Sequence, residues 1–416
     1  MTTASTTRPL RILLSAYALS SVRGSEAGNS WRLAEGLARA GHNVTVLTTP
    51  RYPGEHEIPP ELAGHLVIKF VEARAPRLLS RGQVGVYADY RAWQHESLRV
   101  ARALIRNSPF AFDVVHHYSW GSLIWGSPLI ALRLPFVFGP VGGGSYSPRE
   151  MRGLYLWRHR LRESTRDVLG KSVRLNPMAR SVVKKATLIL SANSDTGRVI
   201  RRLGGASLLM MPEATPDAWL ARPISARPRD NRNVVIWVAR LLPLKGVLLA
   251  IDIASLLPSG FQLVVVGDGP EMQRAQRYVA LKGLDERVEF RGQVGWETLP
   301  ELYDAADVML FTSIRDTTGA QLLEAGSCGL PIVGINHQGI GDYVPQSAGF
   351  LAQLGDPELM AAEMASAVVS ICSNVELYCS TSSAARAFAE SHGAQRSVDE
   401  FVGVYLRAID LAANGP

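Results

Sequence analysis

The sequence predicts an α/β protein built from two doubly wound domains with parallel sheets, and three features carry that prediction. Short runs rich in Val, Ile and Leu alternate with helix-period stretches along nearly all of the 416 residues, as parallel sheets covered by helices require. The alternation breaks at a polar run holding Pro216, Pro223 and Pro228, where a linker is expected. Glycines recur just after strands, where a chain must turn closely past a ligand or a helix start. These features set the expected boundaries: a first domain over 1–213, a linker over 214–232, and a second domain over 233–393. A final helical segment, 394–416, is expected to pack back on the first domain.

In the first series, strands are expected at 11–17, 43–48, 66–71, 113–116, 136–138, 186–191 and 207–211. RILLSAY opens the chain's first strand–helix unit. A loop follows at Val22-Arg23-Gly24-Ser25, and then a helix starting at Ser25 or Glu26, whose carboxylate suits the positive end of the helix dipole. Gly41 ends that helix. The second series reads as strands at 233–239, 262–267, 287–291, 308–312 and 331–334, with helices from Lys245, Pro270, Trp296 and Gly319. Ligands of such folds lie beyond the carboxyl ends of the strands, so two facing domains make a cleft.

Composition narrows the class. At 47% hydrophobic and 19% charged the chain is globular and long enough for two cores. Cys328, Cys372 and Cys379 are odd in number and lack metal-ligand spacing, which argues for a reducing compartment and against a disulfide framework or a metal site. Arg8 and Arg11 ahead of ILLSAYALSS resemble a short secretion signal, but the run reads better as a first strand. The most apolar stretch, Leu123 to Phe138, is broken by Pro128, Arg133 and Pro135, so no bilayer span is expected. The segment 149–185 holds eleven Lys or Arg against three acids, a net +8 in a chain whose total is +7. It reads either as a solvated helix pair or as a face that meets anionic lipid or a phosphorylated acceptor. Nucleic acid is not expected, because no recognition motif accompanies the charge.

The richest stretch is Asp316 to Glu324, DTTGAQLLE. An acid on the loop leaving a strand, then Gly319, then a helix with a second carboxylate places two acids and a helix start at one sheet edge. Such an edge can hold a sugar nucleotide: unpaired N–H groups face the diphosphate, and carboxylates accept from hydroxyls. Arg240 and Lys245, in ARLLPLKG, bring two cations to the neighbouring strand end. In VVVGDGPE, Gly267 and Gly269 follow a strand, but Met272 stands where a dinucleotide fingerprint has its third glycine. Gly24 and Ser25 form a second candidate phosphate loop, and Gly142, Gly143 and Gly144 a glycine cluster fit either for close approach to a ligand or for a plain turn. His116 and His117 close DVVHH, where a side chain either projects into a cleft or packs as a spectator.

Taken in order, GSEAGNSW, DVVHH, FGPVGGG, VARLLPLKG, VVVGDGPE, VEFRGQV, the Asp316–Glu324 segment and LLEAGSCGLPIVG resemble the retaining nucleotide-sugar glycosyltransferases of family 4, which have the GT-B fold. The resemblance implies that Arg240 and Lys245 bind the donor diphosphate of a UDP- or GDP-sugar, Glu324 the ribose and main chain near Val294 the base. It also implies that Asp316 contacts the transferred sugar, that Gly24 forms the acceptor-side loop and that His116 or His117 faces the reacting sugar. It further implies front-face transfer without a metal or other cofactor; the cysteine count and the basic segment separately lead to the expectation of a cytoplasmic protein, free or peripherally membrane-bound. The acceptor would be a small molecule, a natural product or a lipid-linked sugar. Where the family reads E-G-F-G, this chain reads Asp316-Thr317-Thr318-Gly319, and Ser145 rather than an acid follows the glycine cluster. A roomier, more polar donor pocket for a modified or larger sugar is the expectation. Alternatives at this point are an inverting transferase or epimerase of the same fold, and a non-catalytic nucleotide-sugar-binding partner subunit.

Overall fold

The computed structural model describes residues 8–51, 55–74, 82–108, 112–224 and 233–414. The first domain holds a seven-stranded parallel sheet in the order β3-β2-β1-β4-β5-β6-β7. Its strands are β1 (Arg11–Ala16), β2 (Asn43–Thr48), β3 (Leu66–Phe70), β4 (Val114–Ser119), β5 (Phe136–Val141), β6 (Leu188–Ser191) and β7 (Leu208–Leu209). The second domain holds a six-stranded parallel sheet in the order β10-β9-β8-β11-β12-β13. These strands are β8 (Asn233–Val238), β9 (Phe261–Val266), β10 (Val288–Gly292), β11 (Val308–Phe311), β12 (Ile332–Asn336) and β13 (Gly349–Gln353). Strand order reverses between β1 and β4 in one sheet and between β8 and β11 in the other. Such reversals open a crevice at the carboxyl strand ends.

The helices that cover these sheets bury one stripe each. α1 (Ser25–Arg39) lies on the first sheet through Leu33, Ala34, Leu37 and Ala38. In the second domain α7 (Val247–Leu256) is buried over most of its length against β8 and β9, which explains its continuous apolar reading. α10 (Ala320–Ser327) follows β11 and presents its first turn to the cleft.

The final helix, α14 (Ala394–Asn414), returns to the first domain as expected. Val398, Phe401, Tyr405 and Ala408 join the core of β1 and α1. Gly36 permits that approach, because a methyl there would sit 2.5 Å from Val398 Cγ2. The chain thus crosses between domains twice, and the two crossings touch. Thr215 and Gly393 form a parallel bridge, with Thr215 N donating to His392 O at 2.8 Å and Ala394 N donating to Thr215 O at 3.0 Å.

Several expected boundaries move. β4 and β5 run three residues longer than 113–116 and 136–138, to Ser119 and Val141, whereas the 207–211 strand shrinks to the pair Leu208–Leu209 at the sheet edge. Helices expected from Lys245, Pro270 and Trp296 begin instead at Val247, Met272 and Leu299, two of them after a 3₁₀ turn. The short strand β13 went unread, its GFLAQ too brief and too mixed to show a period. Within the expected linker, Asp217–Leu220 forms a helical turn, and 225–232 lies outside the described residues.

Candidate active site

Both strand-order reversals feed one cleft. Beyond β8, a 3₁₀ turn at Pro243–Lys245 is closed by Gly246 at φ +71°. A side chain there would be strained and would place Cβ 2.2 Å from Thr312 O, so only glycine fits. The Thr312 hydroxyl donates to Gly246 O at 2.9 Å and accepts from Trp237 Nε1 at 2.9 Å. These bonds fix Lys245 beside the loop that leaves β11, where its ammonium pairs with the Asp316 carboxylate. Asp316 is also held by the Ser313 hydroxyl at 3.2 Å, by Thr317 N at 3.0 Å, and through its own N–H by Gln338 Oε1 at 2.8 Å. Arg240 is exposed beside them.

Glu324, one turn into α10, lies in an aromatic cage. Trp296 Nε1 donates to one oxygen at 2.9 Å and the Tyr303 hydroxyl to the other at 3.1 Å, while Trp219 stacks on Trp296 with centroids 5.0 Å apart. Burial pushes the Glu324 carboxyl up, against the two donors. Each oxygen keeps a further lone pair for a ligand hydroxyl. Gly24 closes the cage from the first domain, since a methyl there would meet Trp296 at 2.9 Å. The Arg32 guanidinium lies 5.6 Å from the Trp296 ring.

Gly24, Arg240, Lys245, Val294, Asp316, Gly319 and Glu324 all line one cavity of about 780 Å³. It opens toward a second of about 480 Å³, on the first-domain side, to which Gly142 and Thr317 belong. Gly319 caps α10 at φ +112°. Among the described residues no group of three or more His, Cys, Asp or Glu could hold a metal ion.

Other expected residues lie elsewhere. His116 and His117 do not reach the cleft: both are buried in the sheet core. His116 bonds the Tyr405 hydroxyl at 2.8 Å and Gly139 O at 2.6 Å, and His117 bonds the Ser15 and Tyr90 hydroxyls at 3.2 and 3.0 Å. Burial pushes their imidazoles down, to about 4 and about 3, so both stay neutral near pH 7. Thr318 is buried and spends its hydroxyl on Glu213, so only Thr317 of the threonine pair borders a cavity, and that is the second. Gly269 packs on the Leu241 backbone, and Gly267 lines the cavity in its stead. Gly143 faces Ser122 and Leu123. Ser25 begins α1, and its side chain lies outside the described residues, as do those of Lys171 and Arg174.

Sequence reasoning missed Glu213 entirely and read Glu26 only as a helix-start acid. Both border both cavities, together with Trp120. Glu213 sits alone between Pro212 and Ala214 with no periodic or motif context, and only the fold carries it to the site.

Residues 222–377 match the model for glycosyl transferases group 1, and residues 29–212 match the glycosyl transferase 4-like domain. The chain is 29% identical over 345 residues to a 2-deoxystreptamine N-acetyl-D-glucosaminyltransferase of Streptomyces fradiae, covering 75% of each. It is 25% identical over 359 residues to a D-inositol 3-phosphate glycosyltransferase of Acidothermus cellulolyticus, covering 78% of this chain and 74% of that one. The crystal structure of Anabaena HepE in complex with UDP and glucose superimposes with a TM-score of 0.61 at 17% identity, covering 95% of this chain and 99% of that one. With two matched models spanning both halves and the same two-sheet architecture, the chain is a GT-B glycosyltransferase of group 1.

Proposed function

We propose that this enzyme moves a sugar from a UDP- or GDP-sugar to a small-molecule acceptor, with retention of anomeric configuration and without a metal. The observation that carries the reading is the single cavity in which Arg240, Lys245 and the start of α10 face one another across from Glu324. The cations and the helix start suit a diphosphate, and Glu324 suits the ribose hydroxyls. The acceptor hydroxyl would attack the anomeric carbon from the face the diphosphate leaves. The anomeric carbon–oxygen bond breaks as the new one forms, the acceptor proton passes to the departing phosphate oxygen, and Arg240 and Lys245 offset the charge that develops there. Lys245 must first be drawn from Asp316, which frees that carboxylate for the sugar hydroxyls. HepE, of the same fold, is described with UDP and glucose, which favours UDP as the first nucleotide to try.

Calorimetric titration with UDP and GDP is expected to give saturable binding of one of them. NMR of the product formed from the matching sugar nucleotide is expected to show the donor's anomeric configuration. An inverted product defeats retention, and absence of both transfer and donor hydrolysis favours a binding subunit.

The basic segment supports a second reading, a peripheral contact with anionic bilayers. On α3 (Trp157–Lys171) the exposed Trp157 and Leu161 stand among exposed Arg158, Arg160 and Arg162, with Arg158 5.3 Å from the Trp157 ring. Arg152 and Arg166 are instead engaged inward, with Asp167 and Glu163. No described helix is long and apolar enough to cross a membrane. Replacing Arg158, Arg160 and Arg162 by Gln is expected to weaken binding to phosphatidylserine vesicles by about 1 kcal/mol per charge. Binding that ignores vesicle charge defeats the contact.

A further inference from the structure

The two cavities differ in charge. The larger is lined by Arg23, Arg51, Arg240 and Lys245 as well as acids, as a diphosphate site needs. The smaller is lined by Glu26, Glu213 and Asp316, and among the described residues no Lys or Arg lines it. Asp316 is neutralised by Lys245. Glu26 meets the Ser119 hydroxyl and the Gly121 N–H, and Glu213 the Thr318 hydroxyl. Lys245 and Arg32 lie within electrostatic reach of Glu213, but among the described residues neither carboxylate forms a direct ion pair with a Lys or Arg. Half-buried carboxylates that lack a direct ion-pair partner are stabilised when a cation arrives. Burial pushes both carboxyls up to about 7; Glu213 adds to the rise at Glu26 against the Ser119 and Gly121 donors, and Asp316 adds to that at Glu213 against the Thr318 hydroxyl and the Lys245 charge.

Aromatic rings complete the wall. Tyr87 stacks on Trp125 at 5.0 Å and meets Trp120 edge-on at 6.2 Å, and all three border the smaller cavity. Ring faces of this kind attract cations and the C–H faces of cyclic polyols.

We propose that the acceptor is a cyclic polyol bearing a protonated amine, an aminocyclitol or amino sugar, whose ammonium lies between Glu26 and Glu213 and whose ring lies against Trp120 and Trp125. This rests on the transferase reading above and names its acceptor class. Two relatives bracket the choice: one is named for 2-deoxystreptamine, a diamine, and the other for D-inositol 3-phosphate, an anion. The carboxylates of this cavity suit the first and repel the second.

The test is calorimetric titration at pH 7 with 2-deoxystreptamine, myo-inositol and D-inositol 3-phosphate, on protein free of nucleotide and on protein titrated with UDP and GDP. 2-Deoxystreptamine is expected to bind at least tenfold more tightly than myo-inositol, with D-inositol 3-phosphate weakest. In the doubly substituted Glu26→Gln, Glu213→Gln protein, 2-deoxystreptamine is expected to weaken tenfold or more and myo-inositol less than twofold. A merely structural pair would weaken both alike. Absence of binding by 2-deoxystreptamine, equal or tighter binding of the phosphate, or an unchanged variant overturns the inference. Should the variant not fold, the ranking of the three probes on the native protein decides alone. Nucleotide titration reports separately: UDP or GDP bound without preference for the amine defeats this inference only, and no nucleotide binding defeats the donor reading.

Discussion

Lys245→Ala or Arg240→Ala is expected to lower sugar transfer at least tenfold, with the larger loss at Lys245 and with thermal unfolding little changed. The asymmetry follows from geometry. Lys245 is enclosed, its side chain 14% exposed, and is anchored by the Gly246–Thr312 lock, whereas Arg240 is exposed and screened. A positioned charge in an enclosed site stabilises a developing anion far better than one in water. Loss of one such group costs about 2.7–4 kcal/mol in a well-studied oxyanion site, a factor of about 10² to 10³. Lys245→Ala also leaves Asp316 without its cation, so donor affinity is expected to fall along with turnover. Steady-state rates together with nucleotide titration separate the two effects. Native rates in both single variants defeat the assignment of the diphosphate site.

Tyr405→Ala is expected to destabilise the first domain by about 3–5 kcal/mol, the usual cost of deleting a large buried ring. Tyr405 is fully buried among α1, β1 and β4 residues, although it lies near the end of the chain. Its hydroxyl bonds His116 Nδ1 at 2.8 Å inside that core. Tyr405→Phe removes that partner alone and is expected to cost about 1–3 kcal/mol, the penalty for an unsatisfied buried polar group. Urea unfolding of both variants checks the ordering. A loss below about 1 kcal/mol for Tyr405→Ala would show that α14 adds little to the first domain.

What could be read from the sequence follows from how local each signal is. The parallel strands were legible because strands buried on both faces are continuous apolar runs, as in VVIWV from Val234 to Val238 and LVVV from Leu263 to Val266. Arg240, Lys245, Asp316, Gly319 and Glu324 were legible because each lies on the loop that leaves a strand or in the opening turns of the helix that follows it, and strand ends converge in this architecture. His116 and His117 misled for the same reason. β4 extends past them to Ser119, so both point into the sheet's packed faces rather than over its edge. The direction of Thr318 and the position of Glu213 depend on how one domain meets the other, and no window of sequence carries that information. The acidic character of the smaller cavity arises from three segments far apart in the chain, at Glu26, Glu213 and Asp316.

The touching crossings at Thr215 and Gly393 have a mechanical consequence. Two domains tied by a single tether can turn about any axis through it, but two adjacent tethers that share hydrogen bonds define a line. Thr215 is fully buried, and its hydroxyl donates to Ala389 O at 2.9 Å, so the line is anchored at the end of α13 (Val375–Ser391). A rigid-body opening of the cleft that keeps these bonds must turn about that seam, as a book opens along its spine. Twisting would have to shear both crossings at once. A force that pulls the halves apart is shared between the two crossings and the bonds that also join the domains, Arg315 with Glu163 and the Tyr343 hydroxyl with Ala192 O.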